Sequence, residues 1–259
     1  MVSALRTPLN DLGRGLGSGA RWVLGADRTV AVLPWRDHHG PVTTGSARRP
    51  LRTRQRAWAH LVASWLTRRG VAPNAISITS VVVAVLAAAG FLALPGQSAG
   101  RQVLLLLAIG IFVQLRLLCN MLDGLVAIEG GKHSTSGDLY NEIPDRVDDV
   151  VILAAAGYAV VGIAWAPVAG STAAVLALFT AYVRLLGGTL GAPQTFMGPL
   201  AKPQRMFVVT VASGLSIVET LLIGYHGYVL LGALCVIALG SAITVARRVA
   251  FIRANLPVP

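Results

Sequence analysis

Six stretches of this chain are apolar over close to, or more than, the roughly 18–20 residues an α-helix needs to cross a bilayer. That feature leaves few folds open. The fold class predicted is all-α: a polytopic membrane protein with six transmembrane helices, preceded by an amphipathic surface helix. The spans run from about 76 to 94, 102 to 128, 137 to 166 (apolar only from Val150), 171 to 190, 205 to 223, and from after Gly227 to about Val249. Only 13% of residues are charged, about half the usual share in a soluble domain.

The formal net charge is +11, which in a soluble protein would point to nucleic acid. Here its distribution argues otherwise. Twelve of the 22 Lys and Arg precede residue 70, and Arg247, Arg248 and Arg253 lie at the far end. Basic residues gather on the cytoplasmic side of membrane proteins, so a membrane partner is expected and no nucleic acid. With the amino terminus inside, the outer loops fall near 95–101, 166–170 and 224–227 and hold one basic residue, Arg101; the inner segments hold Lys132, Arg146, Lys202 and Arg205. The expected location is the cell membrane, multi-pass, with both termini and the polar site cytoplasmic.

Three regions are expected: a basic arm over 1–53, partly disordered; a membrane domain over 54–253; and a short tail over 254–259. No uninterrupted apolar core with a cleavage site marks a removable signal peptide. In 54–69, Trp58, Leu61, Val62, Trp65 and Leu66 repeat at helical spacing between Arg54, Arg56 and Arg68, Arg69. This predicts a helix on the membrane surface with its tryptophans inserted, the alternative being a helix packed on the bundle. Cys119 and Cys235 sit in apolar helical stretches without metal-ligand spacing and read as packing residues. The five histidines read as surface residues.

The second span is longer than a crossing requires. Counted from Gln102 at about 1.5 Å per residue, the boundary falls near 120–123, so Asn120 and Asp123 reach headgroup depth. The third span begins there with Asn141, Glu142, Asp145, Asp148 and Asp149. Asn120, Asp123 and Ala127 share one helical face, and Asn141, Asp145 and Asp148 or Asp149 share another. Gly124, Ala127 and Gly137 keep those faces low enough for a ligand to approach the backbone. Two neighbouring helices would thus set oxygen ligands where a lipid diphosphate rests. Carboxylates repel a diphosphate unless hard cations lie between them, so the cluster predicts Mg²⁺ or a similar ion and metal-assisted phosphoryl chemistry. A solvated polar neck is the bland alternative for such a hairpin.

The same residues resemble the signature of the CDP-alcohol phosphatidyltransferase family, D-x-x-D-G-x-x-A-R followed after a short gap by G-x-x-x-D-x-x-x-D. Here it reads Asn120-x-x-Asp123-Gly124-x-x-Ala127-Ile128, then Gly137-x-x-x-Asn141-x-x-x-Asp145. The resemblance implies that Asn120, Asp123, Asn141 and Asp145 bind two divalent metals, Mg²⁺ or Mn²⁺, on the diphosphate of CDP-diacylglycerol. Gly124, Ala127 and Gly137 would border the cytidine, with Ser134 and Ser136 near the phosphates. Asp145 would take the proton of an alcohol acceptor, and CMP would leave. Arg184, Lys202 and Arg205 would bind a phosphorylated acceptor, simple membrane anchoring being the alternative for the last two. A homodimer is also implied.

The departures are Asn for Asp at 120 and 141 and Ile128 for Arg. They remove two negative charges, so a second metal would bind weakly or use Glu142, Asp148 or Asp149. Arg116, one turn before Asn120, is a candidate partner of the acidic cluster. A variant enzyme is the first reading and a catalytically inactive lipid-binding or scaffold relative the second. Within the enzyme class, a CDP-linked headgroup could instead move onto diacylglycerol. A transporter fits less well, since its site would lie nearer the midplane.

Overall fold

The computed structural model describes residues 23–24, 30–31, 57–129, 137–193 and 195–256, with backbone only at 23–24, 30–31, 137, 138, 140 and 141. The chain divides into two compact units, Met1–Arg48 and Arg49–Pro259. In the first, strands β1 (Val23–Leu24) and β2 (Val30–Ala31) pair antiparallel, Val23 opposite Ala31. The expected partly disordered arm therefore contains a short ribbon.

The second unit is helical: α1 (Ala57–Arg68), α2 (Pro73–Ala93), α3 (Ala99–Glu129), α4 (Gly137–Tyr158), α5 (Ala166–Thr189), α6 (Lys202–Ile223) and α7 (Tyr228–Ala254). Local sequence explains several starts. Pro73, Pro167 and Pro203 each stand in the first two positions of their helix, where a missing N–H costs nothing and the fixed φ is already helical. Helices α2, α3, α5, α6 and α7 are long and apolar enough to cross a membrane, with mean hydropathies between 1.6 and 2.5. Helix α4 falls short of the six expected spans by composition, because its first half carries Asp138, Glu142, Asp145, Arg146, Asp148 and Asp149. It also stops at Tyr158 rather than continuing to Ala166. Gly162, with φ +77°, reverses the chain before Pro167 opens α5. The loop expected at 166–170 accordingly lies at 159–165.

Helix α1 packs on the bundle by one face. Ala59 and Ala63 are fully buried beside Cys119, Leu122 and Val126 of α3, while Trp58, Leu61 and Trp65 face outward. The alanines dock the helix on α3, and the tryptophans stay exposed. Arg69 lies over the Trp65 ring, 4.8 Å from its centroid.

The expectation of two adjacent helices building the site also changes. Helix α2 packs against both α3 and α4, which touch each other at few points; α5 lies on α4 and α7, and α6 on α3 and α7. The α4–α5 contact turns on two glycines. A Cβ on Gly170 would stand 2.7 Å from Leu153 O and 2.9 Å from Gly157 Cα, and rigid backbone cannot yield locally. Gly170→Ala is therefore expected to cost about 1–3 kcal/mol of stability, whereas Gly232→Ala, whose Cβ meets nothing within 4 Å, is not. Thermal unfolding of both variants in detergent checks the contrast.

At the end of the bundle away from Asp123, Glu219 caps the neighbouring helix. Its Oε1 accepts from the backbone N–H groups of His226, Gly227 and Tyr228 at 3.2, 2.8 and 3.0 Å, and its Oε2 from Val229 at 3.2 Å. A carboxylate there satisfies the free donors that open α7 and complements the helix dipole. Tyr225 donates its hydroxyl to Ala159 O at 2.9 Å. Burial, and then the nearby Glu219 charge, pushes the phenol's pKa above its ordinary value.

Candidate functional site

The opposite end of the bundle holds a cluster of charged groups contributed by α2, α3, α4 and α6. Asp123, on α3, is buried. Its Oδ2 accepts from Ser77 Oγ of α2 at 2.8 Å and its Oδ1 from the Gly124 N–H at 2.5 Å. One turn on, Ser80 Oγ donates to Asp148 Oδ2 of α4 at 2.9 Å. The i, i+3 spacing of the two serines lets α2 hold one acid from each flanking helix. Neither serine stood out in the sequence, where both look like small polar residues in an apolar span; that spacing was the only signal.

Arg116 is fully buried and does pair with the acidic cluster. Its Nε donates to Asp148 Oδ2 at 2.8 Å, and its Nη2 to Asp149 Oδ1 at 2.7 Å and to the Asp145 carbonyl at 3.2 Å. Asp149 is shared: its Oδ2 accepts from Arg205 Nη2 at 2.6 Å. Arg205 Nη1 reaches Thr180 Oγ1 at 3.1 Å and Leu200 O at 3.0 Å. Arg205, expected at the acceptor, is thus an internal strut with both Nη atoms engaged. Arg184 donates to Glu142 Oε1 at 2.7 Å, beside the Phe196 ring, and Arg146 also pairs with Glu142. Arg184, expected at the acceptor, thus has an anionic partner within the chain. Glu142, Asp148 and Asp149, the substitutes considered for metal ligation, are each held by arginine.

Asp145 pairs with the ammonium of Lys202 at the start of α6. Ser77 and Ser80 of α2 hold Asp123 and Asp148 one turn apart, and Asp145 lies one turn before Asp148 on α4. Asn120 lies one turn before Asp123 on α3. Its amide Oδ1 and Nδ2 are buried without a hydrogen-bond partner, which leaves an oxygen donor open beside a carboxylate. Gly124 is buried and Ala127 half-buried. Ser134, Ser136, Lys132 and His133 lie outside the described residues, as do the side chain of Asn141 and the surroundings of Gly137. Among the described residues no three His, Cys, Asp or Glu side chains group as a metal site. The donor set is mixed, one carboxylate beside one amide.

Fold and site together define a polytopic membrane protein whose second unit is helical, with a buried charged cluster at one end of that bundle. The particular fold is that of Mycobacterium tuberculosis phosphatidylinositol phosphate synthase (PgsA1). Its crystal structure in complex with manganese and citrate matches at TM-score 0.61 and 21% identity, covering 76% of this chain and 90% of that one. Its structure with CDP-DAG bound matches at TM-score 0.59 and 21% identity over 76% and 94%, and the apo form at TM-score 0.59 and 22% over 75% and 95%. The inner membrane protein YnbA of Escherichia coli (strain K12) is 24% identical over 148 residues, 56% of this chain and 67% of that protein. No family model matches the chain.

Proposed function

We propose that the chain is a variant CDP-alcohol phosphatidyltransferase that makes a phospholipid, moving a phosphatidyl group from CDP-diacylglycerol to the hydroxyl of a small alcohol or alcohol phosphate. The observation that carries the reading is that Ser77 and Ser80 of α2 hold Asp123 of α3 and Asp148 of α4, the latter one turn from Asp145, in the fold of a synthase crystallised both with manganese and with CDP-DAG. Basic residues at the same end of the bundle support a cytoplasmic site. Residues 54–253 would form the enzyme's membrane domain, and a homodimer is the assembly the resemblance implies.

Asp123 and the unpartnered Asn120 oxygen fit a divalent cation, Mg²⁺ or Mn²⁺, with Asn141 as a further candidate. Such an ion, when bound, neutralises the diphosphate and polarises its oxygens. The chain's own residues do the rest. Ser77 and the Gly124 amide hold the Asp123 carboxylate in one orientation. The resemblance would set Gly124, Ala127 and Gly137 against the cytidine. Asp145 takes the proton of the acceptor hydroxyl as its oxygen bonds to the lipid-side phosphorus; the bond from that phosphorus to the bridging oxygen breaks, and CMP departs with the electron pair. Positioning and electrostatics supply most of the rate. The resemblance would assign Arg184, Lys202 and Arg205 to a phosphorylated acceptor.

The experiment is a CMP-release assay on the purified chain with CDP-diacylglycerol, Mg²⁺ or Mn²⁺, and a panel of alcohols and alcohol phosphates. Release is expected with at least one acceptor. Activity only with a CDP-alcohol and diacylglycerol would reverse the polarity. No release under any combination would favour the second reading, an inactive lipid-binding relative, whose support is the pairing of Asp145 with Lys202 and the two asparagines.

A further inference from the structure

We infer that this site takes one divalent cation per chain, at Asp123 and Asn120, and that the Lys202 ammonium serves as the second positive charge beside Asp145. The inference rests on the transferase reading and specifies how its site balances charge. Four carboxylates meet in the cluster: Asp123, Asp145, Asp148 and Asp149. Three internal cations answer them. Arg116 takes Asp148 and shares Asp149 with Arg205, and Lys202 takes Asp145. Among these seven described groups one negative charge is left over, and it belongs to Asp123, whose described partners are a hydroxyl and an amide rather than a basic side chain.

Lys202 is central to this arrangement. It opens α6 and contacts Asp145, which lies one helical turn before Asp148 and Asp149 on α4. Aspartates at 120 and 141 would add two negative charges and demand another cation. With asparagines there, one divalent ion already leaves the cluster net positive and able to receive a diphosphate. The open Asn120 oxygen supplies a neutral donor to that ion, as hard cations accept. Nearby carboxylates do not rescue a second ion, because Glu142 is held by Arg146 and Arg184.

The test counts ions directly. The full chain in detergent is titrated with Mn²⁺ and followed by calorimetry and by electron paramagnetic resonance. One ion per chain is expected, with no exchange coupling between manganese spins. Lys202→Met should free Asp145 and raise the count to two; Lys202→Gln serves if the first variant does not fold. Asn120→Asp should tighten Mn²⁺ binding by about tenfold or more, since ligand charge sets affinity at such sites. Two coupled ions in the wild-type chain, or a count unchanged in a folded Lys202 variant, would overturn the inference. Two ions in a chain that releases CMP would leave the transferase reading standing. One ion in a chain that releases none would support the count and refute that reading, and no ion at all would sink both.

Discussion

Asp145→Asn is expected to cut CMP release by about 10²–10⁴-fold, the usual contribution of a positioned proton acceptor, while the protein stays folded. Asn has nearly the same shape and can still accept from the Lys202 ammonium, so the contact that ties α4 to α6 loses charge but not geometry. The carbonyl of the same residue stays on Arg116 Nη2 at 3.2 Å. What disappears is the basic oxygen. The pair is partly open, with side chains 19% and 15% exposed, so the loss of Coulomb attraction is muted by solvent. A melting temperature near that of the wild-type chain, with activity almost gone, is the expected combination. Activity within about threefold of wild type would place the proton acceptor elsewhere and remove Asp145 from the mechanism.

Sequence patterns disclosed the parts of this protein that depend on near neighbours along the chain. The apolar runs are local, and so is the excess length of α3, whose 31 residues extend about 46 Å. The same holds for the acidic opening of α4. Arg116 could be flagged because it lies one turn from Asn120. Partners distant in sequence could not be read. Arg205 looked like an anchoring or acceptor residue because a basic group at a helix start is ordinary; its carboxylate, Asp149, is 56 residues away. Glu219, an acid in an apolar span, carries no local sign that the next helix's open amides will surround it. Ser77 and Ser80 acquire meaning only once α2 is known to lie between α3 and α4. The end of α4 was misplaced because 159–166 is apolar enough to continue a helix, and the Pro167 signal for a new start was weaker than that run.

The largest expected stability effect belongs to Arg116. Arg116→Met should cost about 3–5 kcal/mol, the penalty for removing one member of a buried ion pair and stranding the other. Met fills much of the volume, so packing loss is a minor part of that figure. Asp148 would keep only the Ser80 hydroxyl, while Asp149 would retain Arg205. The burden therefore falls on Asp148, and the double variant Arg116→Met, Asp148→Asn should recover most of the loss because the charge stranded by the first substitution is removed. Non-additivity of this kind is the mark of residues sharing one network. Thermal or denaturant unfolding of the two single variants and the double variant in detergent gives the coupling energy. A single-variant cost under about 1 kcal/mol would mean that water reaches these groups and that the network is not the buried strut described. Where the double variant is folded, its CMP release should still fall, because Arg116 ties the Asp145 backbone to α3. Stability restored without rate would separate the arginine's part in holding the bundle from its part in aiming the proton acceptor.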